Sequence, residues 1–517
     1  MEQPPETALI RLPRPRLAHV AWAVVLYCGI VGAVWPRRTY DIWWHLATGK
    51  LIVEQHAIPD ADPFTWTRAG APWITHEWAW EVPMYVLYAA WGHAGLMVLR
   101  TVVSVAACAL LVWLCLRRGA SPLATMAVCA LAIFAARPLF NDRPQVVSIL
   151  GFVAMLCLIQ MAQEGRERFL LAAPLVMVPW VNLHGGFVFG PGLLALYAAG
   201  ALVGWVLQWR DAKPLRPSPA VVLGALLLAL GACLANPHGI AGAVYPLDYV
   251  IGEHAWHKTW ITEYQSPDFS EPIFLWLGVL IVAMAAILAA SRRGSGLWDI
   301  ALTAVFLFMA LKWQRNIALF AFAVAPMLAV HLTDLLERVV PAALAGPDHR
   351  REPTALYAGI MVALAVLAVL AVPSALRRVD VVFSQDYPIE CVRFADREGI
   401  EGRMFNTYRW GGYLIWRLWP RQRVFIDGRA DVIGREIAMD WQKAHKLEDG
   451  WQEVLERYRI DWAILSVSSP LCRALEIHPD WRLACEEPTA RLYVRRGSVA
   501  EASLSEGRHT RASDLED

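Results

Sequence analysis

Over the first three quarters of this chain, hydrophobic residues gather into long runs separated by short polar stretches. The runs lie near 17–35, 94–116, 121–137, 145–163, 169–181, 187–208, 219–235, 272–291, 297–312, 316–333 and 355–373. Each reaches or approaches the roughly 20 apolar residues that a helix needs to cross about 30 Å of hydrocarbon. The pattern predicts eleven spans, the fifth and ninth short enough to be tilted or half-buried. No small-residue cleavage site follows the first run, which predicts a retained first helix. Between the first two spans, WEVPMYVLYAAWG is apolar but short and interrupted by Pro83, the signature of a helix lying on the membrane. From about 374 the pattern changes. RVFID at 423–427, WAILS at 462–466 and RLYVRR at 491–496 have strand length and apolarity, and WQEVLERYR at 451–459 has the spacing of an amphipathic helix. The expected fold class is mostly α. It comprises a polytopic transmembrane bundle over 1–373 with a long first outer loop at 37–93, then a small α/β extracytoplasmic domain at 374–497. The polar tail at 498–517 has little to bury and is expected to be disordered.

Basic residues orient the bundle. Arg16, Arg117, Arg118, Arg166, Arg168, Arg292, Arg293 and Arg338 fall in alternate loops, and such loops face the cytoplasm. An odd number of spans then places the C-terminal part outside the inner (plasma) membrane. The opposite loops carry TYDIWWHLATGK, THEWAWE, NDRPQ, NLHGG, NPHG, ITEYQSPDF and KWQRN, and eight of the 14 histidines, including His254 and His257. Polar groups at membrane depth are costly unless they pair or line a cavity, so their collection on one face predicts a site.

Composition agrees with this architecture: 57% of residues are hydrophobic and only 18% charged, against about one quarter charged in soluble domains. Net charge is +1 and no basic run interleaves with aromatics, so nucleic acid is excluded as an expected partner. Six of the nine cysteines lie in apolar runs; Cys391, Cys472 and Cys485 lie in the polar C-terminal part, enough for one disulfide and one free thiol. There is no CxxC pair, Walker loop, GxGxxG, HExxH or GxSxG at a useful place, so nucleotide-driven transport and serine or zinc hydrolase chemistry lack their signatures.

Asp41 leads the candidate residues. It follows the first span closely among Tyr40, Trp43 and Trp44, where an enclosed carboxylate has a raised pKa suited to a general base; it also stands where a helix N-cap belongs. His76 beside Glu77 suits positioning of a hydroxyl, proton relay or a divalent ion, with Glu81 one turn further on. Arg143 and Arg315 stand on the outer face against the charge trend, and a guanidinium fork suits phosphate. Trp44, His45, His184, His238 and Glu263 complete the candidate binding set. The need for a divalent metal stays open.

DIWWHLATGKLI, IPDADPFTWT and GAPWITHEW resemble the first outer loop of bacterial membrane glycosyltransferases of the C superfamily, which includes protein O-mannosyltransferases and aminoarabinose transferases. YRWGGYLIWRL and VFIDGRADV at 408–432 resemble the outer domain of the same group. The resemblance implies an inverting transfer of a sugar from a polyprenyl-phosphate carrier, with Asp41 as the acidic residue after the first span. Partners would be that lipid-linked sugar, membrane lipid, and an acceptor that is glycan, lipid or protein. The paired Asp-Glu of the mannosyltransferases is absent, since Ile42 follows Asp41, so metal use and donor identity do not carry over. A polymer ligase, and a transporter or non-catalytic scaffold on the same fold, are the rival expectations.

Overall fold

The computed structural model describes residues 15–35, 39–206, 218–252, 256, 260–339 and 353–504; His254 and His257 lie outside them. All eleven predicted apolar segments are helical. Among the described residues, eight helices are long and apolar enough to cross a membrane, from Leu17–Val34 to Thr354–Val379. The other three segments are the shorter helices Ala173–Leu183, Pro219–Ala232 and Leu297–Lys312. Two starts are written into the sequence as Ser-Pro: the hydroxyls of Ser121 and Ser218 accept from the N–H groups of Ala124 and Val221, and proline occupies the first turn. The helix Gln314–Val339 is the centre of the bundle, with 72% of its apolar window buried. Thr354–Val379 is at the edge with 6% buried, and it exposes Val362, Val369 and Leu370 as a surface suited to lipid.

The long loop after the first span, expected to be outer, contains two helices, Ile42–Gln55 and Trp78–Trp91, the second where the Pro-interrupted run predicted one. They pack so closely that a Cβ at Gly49 would stand 2.1 Å from the Glu81 carbonyl oxygen. Trp43 fixes this pair to the rest of the chain. Its ring meets Tyr88, Phe383, Tyr387, Tyr413 and Trp416 at centroid distances of 5.0–6.2 Å, joining the loop to the last long helix and to Gly411–Leu418.

The last long helix, Thr354–Asp386, runs through the expected boundary at 373/374 without a break. Beyond it, four strands form one sheet in the order β1 (Met404–Asn406), β2 (Trp462–Ser466), β4 (Ala490–Arg495), β3 (Trp481–Glu486). β1 and β2 are parallel; the other neighbours are antiparallel. The expected strand at 423–427 is buried over 424–427 but forms only an isolated bridge, not a strand. Asn406 takes the place of a neighbouring strand: its side-chain oxygen accepts from Phe425 N–H at 2.9 Å and its NH2 donates to Ile426 C=O at 2.9 Å. Apolarity alone reports burial. Here the backbone that a sheet would pair is met by the Asn406 amide at Phe425 and Ile426, by a single parallel bridge of Val424 to Thr65, and by the Thr67 hydroxyl on Phe425 C=O. Of the expected tail, residues 499–504 are helical, with Ala500 and Leu504 buried, and 505–517 lie outside the described residues.

The segment after 423–427 is locked to the first outer loop by one buried cation. Arg429 reaches Asp62 at 2.8 Å and Asp427 at 2.6 Å, with all three side chains 1% exposed or less. Its guanidinium also lies over the rings of Phe64 and Trp73 at 5.0 and 4.5 Å. Arg429→Met leaves two buried carboxylates without a counter-ion and is expected to destabilise the protein by roughly 3–5 kcal/mol. Thermal unfolding in detergent checks this; an unchanged midpoint would show that the clamp does not hold the two segments together.

Candidate active site

Asp41 occupies the position before the helix Ile42–Gln55, yet its side chain caps no helical N–H. Its carboxylate turns instead to Arg143, whose Nε lies 3.2 Å from Oδ2. Arg143 is aimed by its local sequence. Asn141 Oδ1 accepts from the Arg143 N–H at 3.0 Å, making an Asx turn, and Pro144 starts the helix Gln145–Gln163. Its sequence neighbour Asp142 pairs with Arg100 at 2.6 Å, leaving Arg143 to bridge elsewhere. The second arm of Arg143 pairs with Glu263, which also accepts from Gln145 Nε2 at 3.0 Å. Three loops thus meet in the sequence Asp41–Arg143–Glu263.

The electrostatics follow from this enclosure. Burial, reinforced by the Glu263 and Glu77 carboxylates, outweighs Arg143 and holds the Asp41 carboxyl above its ordinary value. Burial also opposes ionisation of Glu263, but Arg143 and Arg315 hold it below the usual carboxylate value. The C-terminal segment closes the site from above. A Cβ on Gly428 would stand 2.3 Å from Asp41 Oδ1 and 3.1 Å from Trp44 Nε1, so only glycine lets the backbone approach the carboxylate this closely.

A second cluster centres on Glu77. His76 Nε2 lies 3.5 Å from its carboxylate, and His45 Nε2 and His184 Nε2 each lie 3.8 Å away. Burial drives the imidazoles of His45 and His184 down to about 3, so both are neutral. For His184 the tautomer follows. Nδ1 accepts from Gly186 N–H at 3.0 Å and lies 2.6 Å from the Ser148 hydroxyl, which accepts from Trp180 Nε1 at 2.8 Å; Nε2 therefore carries the hydrogen toward Glu77. His76 behaves differently. Burial lowers it, but the adjacent Glu77 carboxylate wins and raises it. Glu77 in turn, against its burial, is held well below the carboxylate range by the imidazole of His76 and the two other histidines. Below them, Glu81 is pushed up by burial and by Glu77. Its Oε1 lies 3.0 Å from His45 Nδ1, a hydrogen bond buried beneath the cluster.

Both clusters face one cavity of about 260 Å³, lined by Asp41, Trp44, His45, His76, Glu77, Arg143, His184, Glu263 and Arg315. A second hollow of about 700 Å³ opens on the other side, beside Trp35, Tyr40, Arg137, Tyr408 and Arg409. Asp41, Arg143, Glu263 and Gly428 line both and form the wall between them. Arg315 stacks over Tyr264 at 4.5 Å, and no carboxylate among the described residues pairs with its guanidinium. It is thus available to an anion in the cavity.

The structure does not bring every candidate to the cavity. His238 accepts from Thr75 N–H at 3.1 Å and braces the loop that carries His76. Glu81 is buried beneath the wall under His45. Conversely, Gln145, Ser148, Tyr245, Gly428 and Asp431 line the cavity and were not singled out from the sequence. Gln145 had a signal in its place in NDRPQ, and Gly428 and Asp431 had one in VFIDGRADV; Ser148 and Tyr245 had none. Among the described residues, no group of three or more His, Cys, Asp or Glu is arranged to hold a metal ion.

No known family profile matches the chain, and no curated protein matches it. Solved structures do. The crystal structure of the Archaeoglobus fulgidus oligosaccharyltransferase, tethered with an acceptor peptide containing the NVT sequon, aligns at a TM-score of 0.51 and 12% identity. The alignment covers 87% of this chain and 69% of that one. Cupriavidus metallidurans ArnT aligns at 0.49 in the apo state and 0.46 bound to undecaprenyl phosphate, each at 14% identity over 94% of this chain and 97% of that one. At such identity the likeness to the oligosaccharyltransferase is one of fold.

The Glu77–His76 pair gives a pH dependence with a definite sign. The raised His76 contributes stability that is full below the ordinary histidine value of about 6.5 and is lost as pH rises through its higher folded value. The depressed Glu77 contributes stability that is lost only as pH falls through a value below the usual carboxylate range. The pair should therefore hold across the acid-to-neutral range and weaken on the alkaline side. Thermal midpoints followed upward from about pH 6.5 should fall in the native chain, and His76→Gln should flatten that limb. Identical profiles for the two proteins would remove the pair as the cause.

Proposed function

We propose that this chain, whose fold is that of the C-superfamily membrane glycosyltransferases, moves a sugar from a polyprenyl-phosphate donor to an acceptor on the outer face of the inner membrane. The observation that carries the reading is the wall: a carboxylate with a raised pKa, held by one guanidinium, faces a hollow on either side. Transfer between two substrates needs such a shared group, because base, acceptor hydroxyl and anomeric carbon must come within contact of one another.

In this mechanism Asp41 takes the proton of the acceptor hydroxyl. The oxygen attacks the anomeric carbon on the face opposite the lipid phosphate, and that bond breaks with inversion. The departing phosphate is an anion in an enclosed site, where a fixed cation stabilises developing charge strongly. Arg315 suits this role because no carboxylate among the described residues pairs with its guanidinium, and it lines the same cavity as the apolar Met309 and Leu319, which suit the start of a lipid tail. Arg143, expected from the sequence as a second phosphate ligand, is instead committed to Asp41 and Glu263, and its role is to aim the base. His76 and Glu77 orient the acceptor hydroxyl toward Asp41. His76 is the neighbour that chiefly keeps Glu77 ionised, and His45 and His184, both neutral, stand 3.8 Å from the same carboxylate. The acceptor, whether glycan, lipid or protein, is read by comparing envelope glycans and lipids by mass spectrometry in cells with and without the protein.

Asp41→Asn keeps the size of the side chain and removes the base. It should lower transfer by about 10²–10⁴-fold while the thermal midpoint and membrane insertion are retained. Arg315→Gln should lower it comparably, with Arg315→Lys restoring part of the loss because a point charge lacks the guanidinium fork. Native rates in the Asp41→Asn protein would sink the proposed base.

A further inference from the structure

Outside the site, the C-terminal part brings two cysteines together. Cys391 lies in the first turn of the helix Ile389–Arg397, and Cys485 lies near the end of β3. Their sulfurs are 2.9 Å apart, closer than the 3.6 Å between Cys115 and Cys129 in the bundle. The third cysteine of this region, Cys472, is on the other face of the sheet, 3.8 Å from the Tyr493 hydroxyl.

The encounter is built by the strand. Paired residues of an antiparallel ladder point to the same face, so alternate residues of β3 should share a face with Tyr493. Leu483 does pair with Tyr493, but the register shifts by one residue before Cys485, which pairs with Leu492. That bulge turns the Cys485 thiol to the opposite face, where Cys391, Leu492 and Val494 pack. The helix is held to the same hairpin from its own end: Glu487, just past β3, accepts from the N–H groups of Glu390 and Cys391 at 3.2 and 3.0 Å. Both partners of the sulfur pair are thus fixed independently of the sulfurs, and Cys391 is fully buried.

We propose that Cys391 and Cys485 are the site of a disulfide that staples the helix after the last span to the edge of the sheet. In forming it the two thiols lose two protons and two electrons and one S–S bond is made; an oxidising protein disulfide of the extracytoplasmic space accepts both and becomes a dithiol. The loop so closed contains Gly412, Gly428 and Arg429, the residues that cover Asp41 and clamp to Asp62. The inference rests on the outward placement of the C-terminal part in the proposed function. Cys115 lies two residues before Arg117 at the cytoplasmic end of its helix, so its pair with Cys129 stays reduced.

Cells producing the full chain are quenched in acid and denatured, and free thiols are blocked with a maleimide before reduction and tagging of the thiols released. A C-terminal reporter active only outside the cytoplasm is read in parallel. Cys391 and Cys485 should be tagged only after reduction and appear as one linked peptide in a non-reduced digest, with Cys115, Cys129 and Cys472 blocked at the first step. Cys391→Ser and Cys485→Ser should each lower the thermal midpoint by a few degrees, the double variant by no more than either, and reductant should erase the difference from the native chain. Free thiols with an outward reporter overturn the disulfide and leave the orientation standing. Free thiols with an inward reporter overturn both, and a peptide linking Cys472 to either partner overturns the pairing.

Discussion

The site depends on one half-buried cation placed between two carboxylates. A guanidinium taken out of water is costly unless its charge and its donors are met, and Arg143 meets both needs by drawing Asp41 from one side and Glu263 from the other. Because these groups come from three different loops, the pairing decides how the loops sit on the bundle. It also sets the chemistry. Asp41 is held in place by Arg143 without being driven to a low pKa, since its enclosure and two neighbouring carboxylates oppose the cation. Orientation and basicity, which usually trade against each other in an ion pair, are thus both available to one residue.

The second constraint is the approach of the C-terminal segment. Arg429 anchors it to Asp62 in the first outer loop, and Gly428 then passes against the Asp41 carboxylate with no room for a side chain. The long loop between the first two spans and the region after the last one are therefore one unit at this face, although they are at opposite ends of the chain. A glycine and an arginine side by side do different work here: one permits contact, the other fixes it.

Much of this was legible in the sequence, for physical reasons. Crossing hydrocarbon forces long apolar runs, so all eleven segments were visible as helices. Polar groups at membrane depth have few other uses, so Asp41, Glu77, Arg143, Glu263 and Arg315 on one side already pointed to a common hollow. Partners were harder. Arg143 has Asp142 beside it in sequence but pairs with Asp41 and Glu263, while Asp142 is drawn away by Arg100. His238 carries the same Asn-x-His-Gly setting as His184 yet serves a loop backbone. The roles of Gly428 and Asn406 depend on what approaches them from remote parts of the chain, and no local pattern encodes that.

The central claim is that the wall around Asp41 is where a lipid phosphate and an acceptor meet. A structure of the full chain determined by electron cryomicroscopy with a bound polyprenyl phosphate tests it most directly. The account predicts the phosphate in contact with the Arg315 guanidinium, in the hollow that Asp41 faces, with the lipid tail leading out between the helices. A phosphate bound elsewhere, touching neither Arg315 nor any residue of the wall, would contradict it.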